Sequence, residues 1–337
     1  MRLLTQVLAP VVGASLLVFA QGCTTCVGSQ DEVPATRERQ TKRASSPSPE
    51  RDQMHTLSVA GKQRQYLVQT PRGYKKGGKY PLMVLFPHDR RGPRNFSDRI
   101  HITQGAAKLG YLLAVPQAPV AWQHGMCAAS ATVDGAAVAP GSKAPAAGAK
   151  KAAARAENPA APKGKEQAVA SDAAAVPEDI DFGRQMLAAI KNEYSVDPLR
   201  IYLVGVGAGA ALAERLATEI PNETAALVSV SSPTGCDRQS VPMPAGPVST
   251  LIIDSRVSLT VASAAAEPGA SALGHWMRAN RCNVKSKASG NEVRMECPSP
   301  TRMTHVGVPG LRNEWPVKIG RSYAMRYVDR FFRDSRR

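Results

Sequence analysis

The run Arg200-Ile201-Tyr202-Leu203-Val204-Gly205-Val206-Gly207-Ala208-Gly209-Ala210-Ala211-Leu212-Ala213-Glu214-Arg215-Leu216 decides the architecture of this chain. Its first five residues are apolar enough for a buried strand, and Ala210 to Leu216 suit a helix. Between them, Gly205, Gly207 and Gly209 allow a turn too sharp and too closely packed for side chains. A strand that turns directly into a helix in this way exposes the central residue above a sheet. With serine at the centre the turn presents a nucleophile. Here the central residue is Gly207, which has no side chain and cannot attack an ester.

The N-terminus reads as an export signal. Arg2 precedes an apolar run from Leu3 to Ala20, followed by Gln21-Gly22-Cys23. Cleavage before Cys23 fits an ordinary signal peptidase or a lipobox whose cysteine is acylated, so residues 1–22 are expected to leave the mature chain. An uncleaved anchor is less favoured, because the helix would be short and weakly flanked. The expected address is the bacterial cell envelope, as a lipoprotein held by lipid on Cys23, with plain secretion as the alternative. Export permits disulfides. Apart from Cys23 and Cys26, four cysteines remain. Cys282 and Cys297 flank a short polar segment and form a local staple, leaving Cys127 to pair with Cys236. No His/Cys cluster has zinc spacing, and neither a metal nor another cofactor is expected.

The net charge is +16, with basic residues spread along the chain. An exported basic surface suits anionic envelope polymers or lipid headgroups. Nucleic acid is not an expected partner, since the basic residues lack interleaved aromatics.

Composition divides the chain. Residues 23–53 are polar and Pro-rich, a tether unable to bury a core. From 54 to 334 short apolar runs alternate with helical stretches: Tyr66 to Val68, Pro81 to Phe86, Tyr111 to Pro116, Arg200 to Val204, Ala225 to Val230, Thr250 to Asp254 and Met303 to Pro309. Ile180, Phe182, Met186, Leu187 and Ile190 mark an amphipathic helix, and weaker helices are expected at Gln104–Leu109 and Ser322–Phe332. An Ala/Pro/Lys tract at about 128–175 interrupts the pattern as a disordered insertion. Alternating strands and helices predict one α/β domain with a doubly wound, mostly parallel sheet.

From Gln65 to Phe332 the chain resembles the secreted polyhydroxybutyrate depolymerase and feruloyl esterase group of the α/β-hydrolases. The resemblance rests on Pro71-Arg72-Gly73-Tyr74, Lys79 to Val84, Val115-Pro116-Gln117 with Trp122, and Tyr194-Ser195-Val196-Asp197-Pro198 leading into Arg200-Ile201-Tyr202. Near the end, Cys282 and Cys297 precede Gly310-Leu311-Arg312-Asn313-Glu314-Trp315-Pro316. It implies the α/β-hydrolase fold and a Ser-His-Asp triad that cleaves esters. Carried over residue by residue, the serine position is Gly207, the aspartate position Ser258 and the histidine position Asn313. Asp254 and His305 stand nearby as displaced partners, without a nucleophile. Where the family shows His-Gly after the strand ending at Phe86, this chain has Pro87-His88-Asp89: either His88 matches the histidine and Asp89 replaces the glycine, or Pro87 replaces the histidine, and either change opposes an oxyanion hole. The Ala208 N–H remains as a donor. Ser229, Ser231 and Ser232 are the alternative hydroxyls, read as turn chemistry. Supplying the missing groups would take the triple change Gly207→Ser/Ser258→Asp/Asn313→His.

The expected function is therefore that of a catalytically inactive, esterase-like envelope lipoprotein with a binding or structural role, any ligand taking the former cleft. An alternative is a carboxylic-ester hydrolase with an unrecognised nucleophile. A third reading takes Gly205-x-Gly207-x-x-Ala210 as a dinucleotide fingerprint, although the next strand-like run ends in Ser231-Ser232 with no carboxylate for a ribose.

Overall fold

A computed structural model describes residues 51–126, 177–234, 236–255 and 271–335. The expected leader and most of the expected tether, Cys23, Cys127, the 128–175 tract and Ser258 lie outside the described residues. Those described all belong to one compact unit, Pro47–Arg337.

The chain opens with a hairpin of β1 (Asp52–Val59) and β2 (Lys62–Gln69), followed by β3 (Tyr80–Phe86), α1 (Pro93–Arg99), α2 (Ile102–Leu109) and β4 (Leu112–Pro116). After the insertion come α3 (Glu178–Glu193), β5 (Val196–Val206), α4 (Ala208–Glu219), β6 (Ala226–Val230), β7 (Ser249–Asp254) and α5 (Ala272–Ala279). The hairpin β8 (Asn283–Ser289) and β9 (Glu292–Glu296), then β10 (Met303–Gly307), β11 (Lys318–Ile319), β12 (Ser322–Tyr323) and α6 (Ala324–Arg333) complete it.

Ten strands form one sheet in the order β1-β2-β4-β3-β5-β6-β7-β10-β9-β8. Its centre, β4-β3-β5-β6-β7-β10, is parallel throughout, and both edges are antiparallel. Parallel strands need cover on both faces, and the residues supply it by alternation. In β3, Leu82, Val84 and Phe86 point to one core with Ile180, Leu212 and Trp276 of α3, α4 and α5. Met83 and Leu85 point to the other, with Phe96, Ile102 and Phe332 of α1, α2 and α6. With a sharp β5–α4 turn at the carboxyl end of the central strand, this is the α/β-hydrolase fold.

Several boundaries differ from the sequence reading. β1 begins at Asp52, where β2 gives Asp52 and Gln53 the ladder partners Gln69 and Val68. β5 starts at Val196, before Pro198, where its ladder partner is Tyr80. The segment between Cys282 and Cys297 is a β-hairpin, with the predicted disulfide joining its ends. α1 and α5 escaped the reading. α5 is short, and is started by Ser271, whose Oγ accepts the Gly274 N–H at 3.0 Å. Cys236 is disulfide-bonded; its expected partner lies outside the described residues. Among the described residues no helix is long and apolar enough to cross a membrane.

Candidate functional site: a closed elbow

The two outer glycines of the elbow are obligatory. A Cβ on Gly205 would overlap the Gly209 carbonyl oxygen and Ala210 Cα, and one on Gly209 would overlap the Phe86 carbonyl. Helix α4 can approach β5 and β3 this closely only because those side chains are absent. Gly207 takes φ 55° and ψ −124°, a conformation side-chain-bearing residues rarely adopt. Its N–H donates to Val230 O at 2.8 Å and its carbonyl accepts from Ala210 N at 2.9 Å. The backbone thus makes the sharp strand-to-helix turn with no side chain at its apex.

Other residues occupy that space. A Cβ on Gly207 would lie 2.9 Å from His88 Cβ and 3.3 Å from Asn313 Cβ. Asn313 therefore stands beside the elbow, where the resemblance put a histidine, but its amide does not take up a proton near neutral pH. The loop carrying it is held by Ser231, whose Oγ donates to Arg312 O at 2.7 Å. His88 lies two residues beyond the end of β3, and its ring packs edge-on against Phe96 at 5.4 Å between centroids. Burial pushes its pKa below the ordinary histidine value, with Asp89 opposing the shift and Arg99 adding to it. The imidazole is consequently neutral at neutral pH. Its Nδ1 is buried without a hydrogen-bond partner. Steric closure also revises the reading of the triple change: serine at 207 would still collide with His88.

The loop after β3 is firmly set. Trp122 Nε1 donates to Pro87 O at 2.8 Å, and Gln117 Nε2 to Arg90 O at 3.1 Å. Asp89 accepts from Arg99 Nη2 at 2.6 Å, with Arg91 Nε 3.8 Å away. The carboxylate expected to oppose an oxyanion is thus largely neutralised by arginine. Ala208 opens α4, and N–H groups in a first turn have no acceptor within their helix.

The displaced partners do meet, but elsewhere. His305 Nε2 lies 2.8 Å from Asp254 Oδ2. His305 is wholly buried on β10, three strand spacings, or about 14 Å, from β5. It is embedded in the ladder opposite Ile252, so it cannot swing to Gly207.

Behind the elbow lies a buried polar cluster that the sequence reading missed. Glu214 of α4 and Arg238 pair at 2.9 Å, each side chain 1% exposed. Ser229 donates to Glu214 at 2.6 Å, and Arg238 to Ser232 Oγ at 2.8 Å. Burial opposes ionisation of Glu214, but Arg238 and the two serines outweigh it and hold the carboxyl below its usual range. All three alternative hydroxyls are therefore engaged in structural bonds. A lone glutamate in the apolar run Ala210 to Leu216 was the available signal. His124 is pushed down to about 4 by burial, against the pull of Glu214, and burial likewise lowers His275. Among the described residues, no group of three or more His, Cys, Asp or Glu could hold a metal ion.

No family model matches the chain, and no curated protein does. Solved structures similar to it include a thermostable esterase (15% identity, TM-score 0.40, covering 63% of this chain and 48% of that one). An acetyl xylan esterase from Aspergillus awamori is 8% identical at TM-score 0.49, covering 84% and 99%. A protein called sOPH is 15% identical at TM-score 0.40, covering 60% of this chain and 66% of its own length. At such identities and scores the likenesses carry no functional argument, and the fold follows from the strand order and the elbow.

Proposed function

We propose that this chain is a pseudo-hydrolase, a protein of α/β-hydrolase fold with a binding or structural role and no ester cleavage. The observation that carries the reading is the closed elbow: Gly207 in the nucleophile's place, with His88 Cβ only 2.9 Å from where its side chain would begin. Acyl transfer by this fold needs a hydroxyl at that point and a base to deprotonate it. Gly207 lacks the first and Asn313 cannot act as the second. Kinship with polyhydroxybutyrate depolymerases and feruloyl esterases, export, and attachment through lipid on Cys23 belong to the same proposal and rest on the sequence motifs. The test is labelling by a fluorophosphonate probe, which reacts with activated serines, alongside turnover of a short-chain nitrophenyl ester. Neither should exceed a heat-denatured control, and stoichiometric labelling of the purified protein would overturn the proposal.

Ester hydrolysis with an unrecognised nucleophile is the second reading, favoured by the His305–Asp254 pair at 2.8 Å. It predicts turnover that His305→Ala abolishes. The dinucleotide reading is weakened by the same closure, since His88 and Asn313 stand where a diphosphate would approach the Gly205-x-Gly207 turn. Release of a nicotinamide cofactor on denaturation would revive it.

A further inference from the structure

Helix α6 carries a stripe that nothing in the elbow explains. Arg326, Arg330 and Arg333 follow one another at intervals of four and three residues, so they share one helical face, and Tyr323 of β12 immediately precedes the helix. All four are exposed, while Met325, Val328, Phe331 and Phe332 bury the opposite face in the core. Just upstream, the β11–β12 hairpin adds exposed Lys318, whose Nζ lies 5.5 Å from the Tyr323 ring centroid, and exposed Arg321. Between Val317 and Ser335 there are five basic residues and two acidic ones. Neither acid lies on the stripe uncommitted. Asp329 is buried, accepting from Tyr111 at 2.9 Å and pairing with Arg333 at 2.9 Å. Asp334 lies 3.5 Å from Arg302.

The apolar side of the patch points to its partner. Val317 and Tyr323 are 71% and 61% exposed, among the highest values for large hydrophobics of the described residues. They are neighbours, because Ala324 N donates to Val317 O at 3.1 Å. A soluble anionic polymer needs only the charges. An anionic bilayer also rewards an aromatic ring and a branched aliphatic side chain at headgroup depth, with arginines on the phosphates around them. We propose that Val317, Lys318, Tyr323, Arg326, Arg330 and Arg333 form a docking surface for an anionic lipid bilayer. This surface is separate from the elbow and does not depend on what binds there.

A local reporter tests it in the full chain, whatever the N-terminal segment does. Trp122, Trp276 and Trp315 are all buried, so Tyr323→Trp supplies a tryptophan open to the neutral quencher acrylamide. On adding vesicles with one-third phosphatidylglycerol in phosphatidylcholine, quenching of the reporter should fall at least two-fold. Vesicles of phosphatidylcholine alone should leave it unchanged. Adding Arg326→Gln/Arg330→Gln should weaken the anionic-vesicle response about 25-fold in lipid concentration, roughly five-fold per charge at the surface. Arg90→Gln/Arg91→Gln, in the loop after β3, removes the same net charge and should leave the response intact. These are exposed side chains, and an unchanged melting curve verifies each fold. No shielding by anionic vesicles overturns the proposal. So does an equal loss with the Arg90/Arg91 control, which would mean attraction by net charge alone. Shielding by soluble polyglutamate but not by vesicles would assign the surface to a polymer and likewise overturn it. Labelling by a fluorophosphonate probe would leave the docking surface untouched, so the two proposals fail separately.

Discussion

Replacing Gly207 with alanine probes the closed elbow most directly. The backbone there lies at φ 55° and ψ −124°, and a side-chain-bearing residue held in so sparsely populated a region costs about 1–3 kcal/mol. The added Cβ would meet His88 Cβ at 2.9 Å and Asn313 Cβ at 3.3 Å. Both atoms are attached directly to backbone, so neither moves aside by a rotamer change. Relief requires shifting the loop after β3, which Trp122 and Arg99 hold, and overpacking of this kind adds about 1–3 kcal/mol. The expected loss is therefore about 2–6 kcal/mol. Urea unfolding should register it as a lower midpoint at an unchanged slope. A double-mutant cycle with His88→Gly separates the parts. The steric share, about 1–3 kcal/mol, should appear as coupling, and the backbone share should persist. A Gly207→Ala protein within about 0.5 kcal/mol of the parent would refute the reasoning, because the elbow would then have room for a side chain.

Three further outcomes are expected. His124 is pushed down to about 4, so between there and the ordinary value of about 6.5 the unfolded chain binds a proton that the folded chain does not. Stability should thus be lost as pH falls through that window, by up to about 3 kcal/mol from His124, with His88 and His275 acting in the same direction. Urea midpoints measured from pH 7 to 4 check this, and His124→Gln should flatten the profile. Glu214→Ala leaves the Arg238 guanidinium buried and unpaired, at a cost of about 3–5 kcal/mol; adding Arg238→Met should recover much of the loss in the same unfolding assay. Deleting residues 128–175 should not lower the melting temperature, because a Cβ on Gly125 would already lie 3.1 Å from Pro177 Cγ, so the described residues that flank the tract are neighbours. Each halving of such a loop changes closure entropy by only about 0.6 kcal/mol, and a fall of more than about 5 °C would mean that the tract packs on the domain.

Local order was legible wherever short-range chemistry governs it. Strands β3 and β4 announce themselves as apolar runs, α3 by its Ile180–Phe182–Met186–Leu187–Ile190 stripe, and the elbow by glycines that only a strand packed under a helix requires. α5 and the β8–β9 hairpin did not, because the first is barely two turns long and the second is polar in sequence and joins the sheet through the pairing of β9 with β10. The absence of a nucleophile at position 207 was also readable from the residues alone, since a glycine has nothing to react with.

What the sequence could not decide was who occupies the space that glycine left. His88 and Asn313 are 225 residues apart in the chain, and only the parallel order of β3, β5 and β10 brings the loops after those strands together over Gly207. The same holds for His305 and Asp254, joined by the β7–β10 ladder, and for Glu214 and Arg238, which meet beneath α4. Sequence patterning records which face of an element is apolar. Which polar side chains then meet is fixed by strand order, a long-range property with no local periodicity to reveal it.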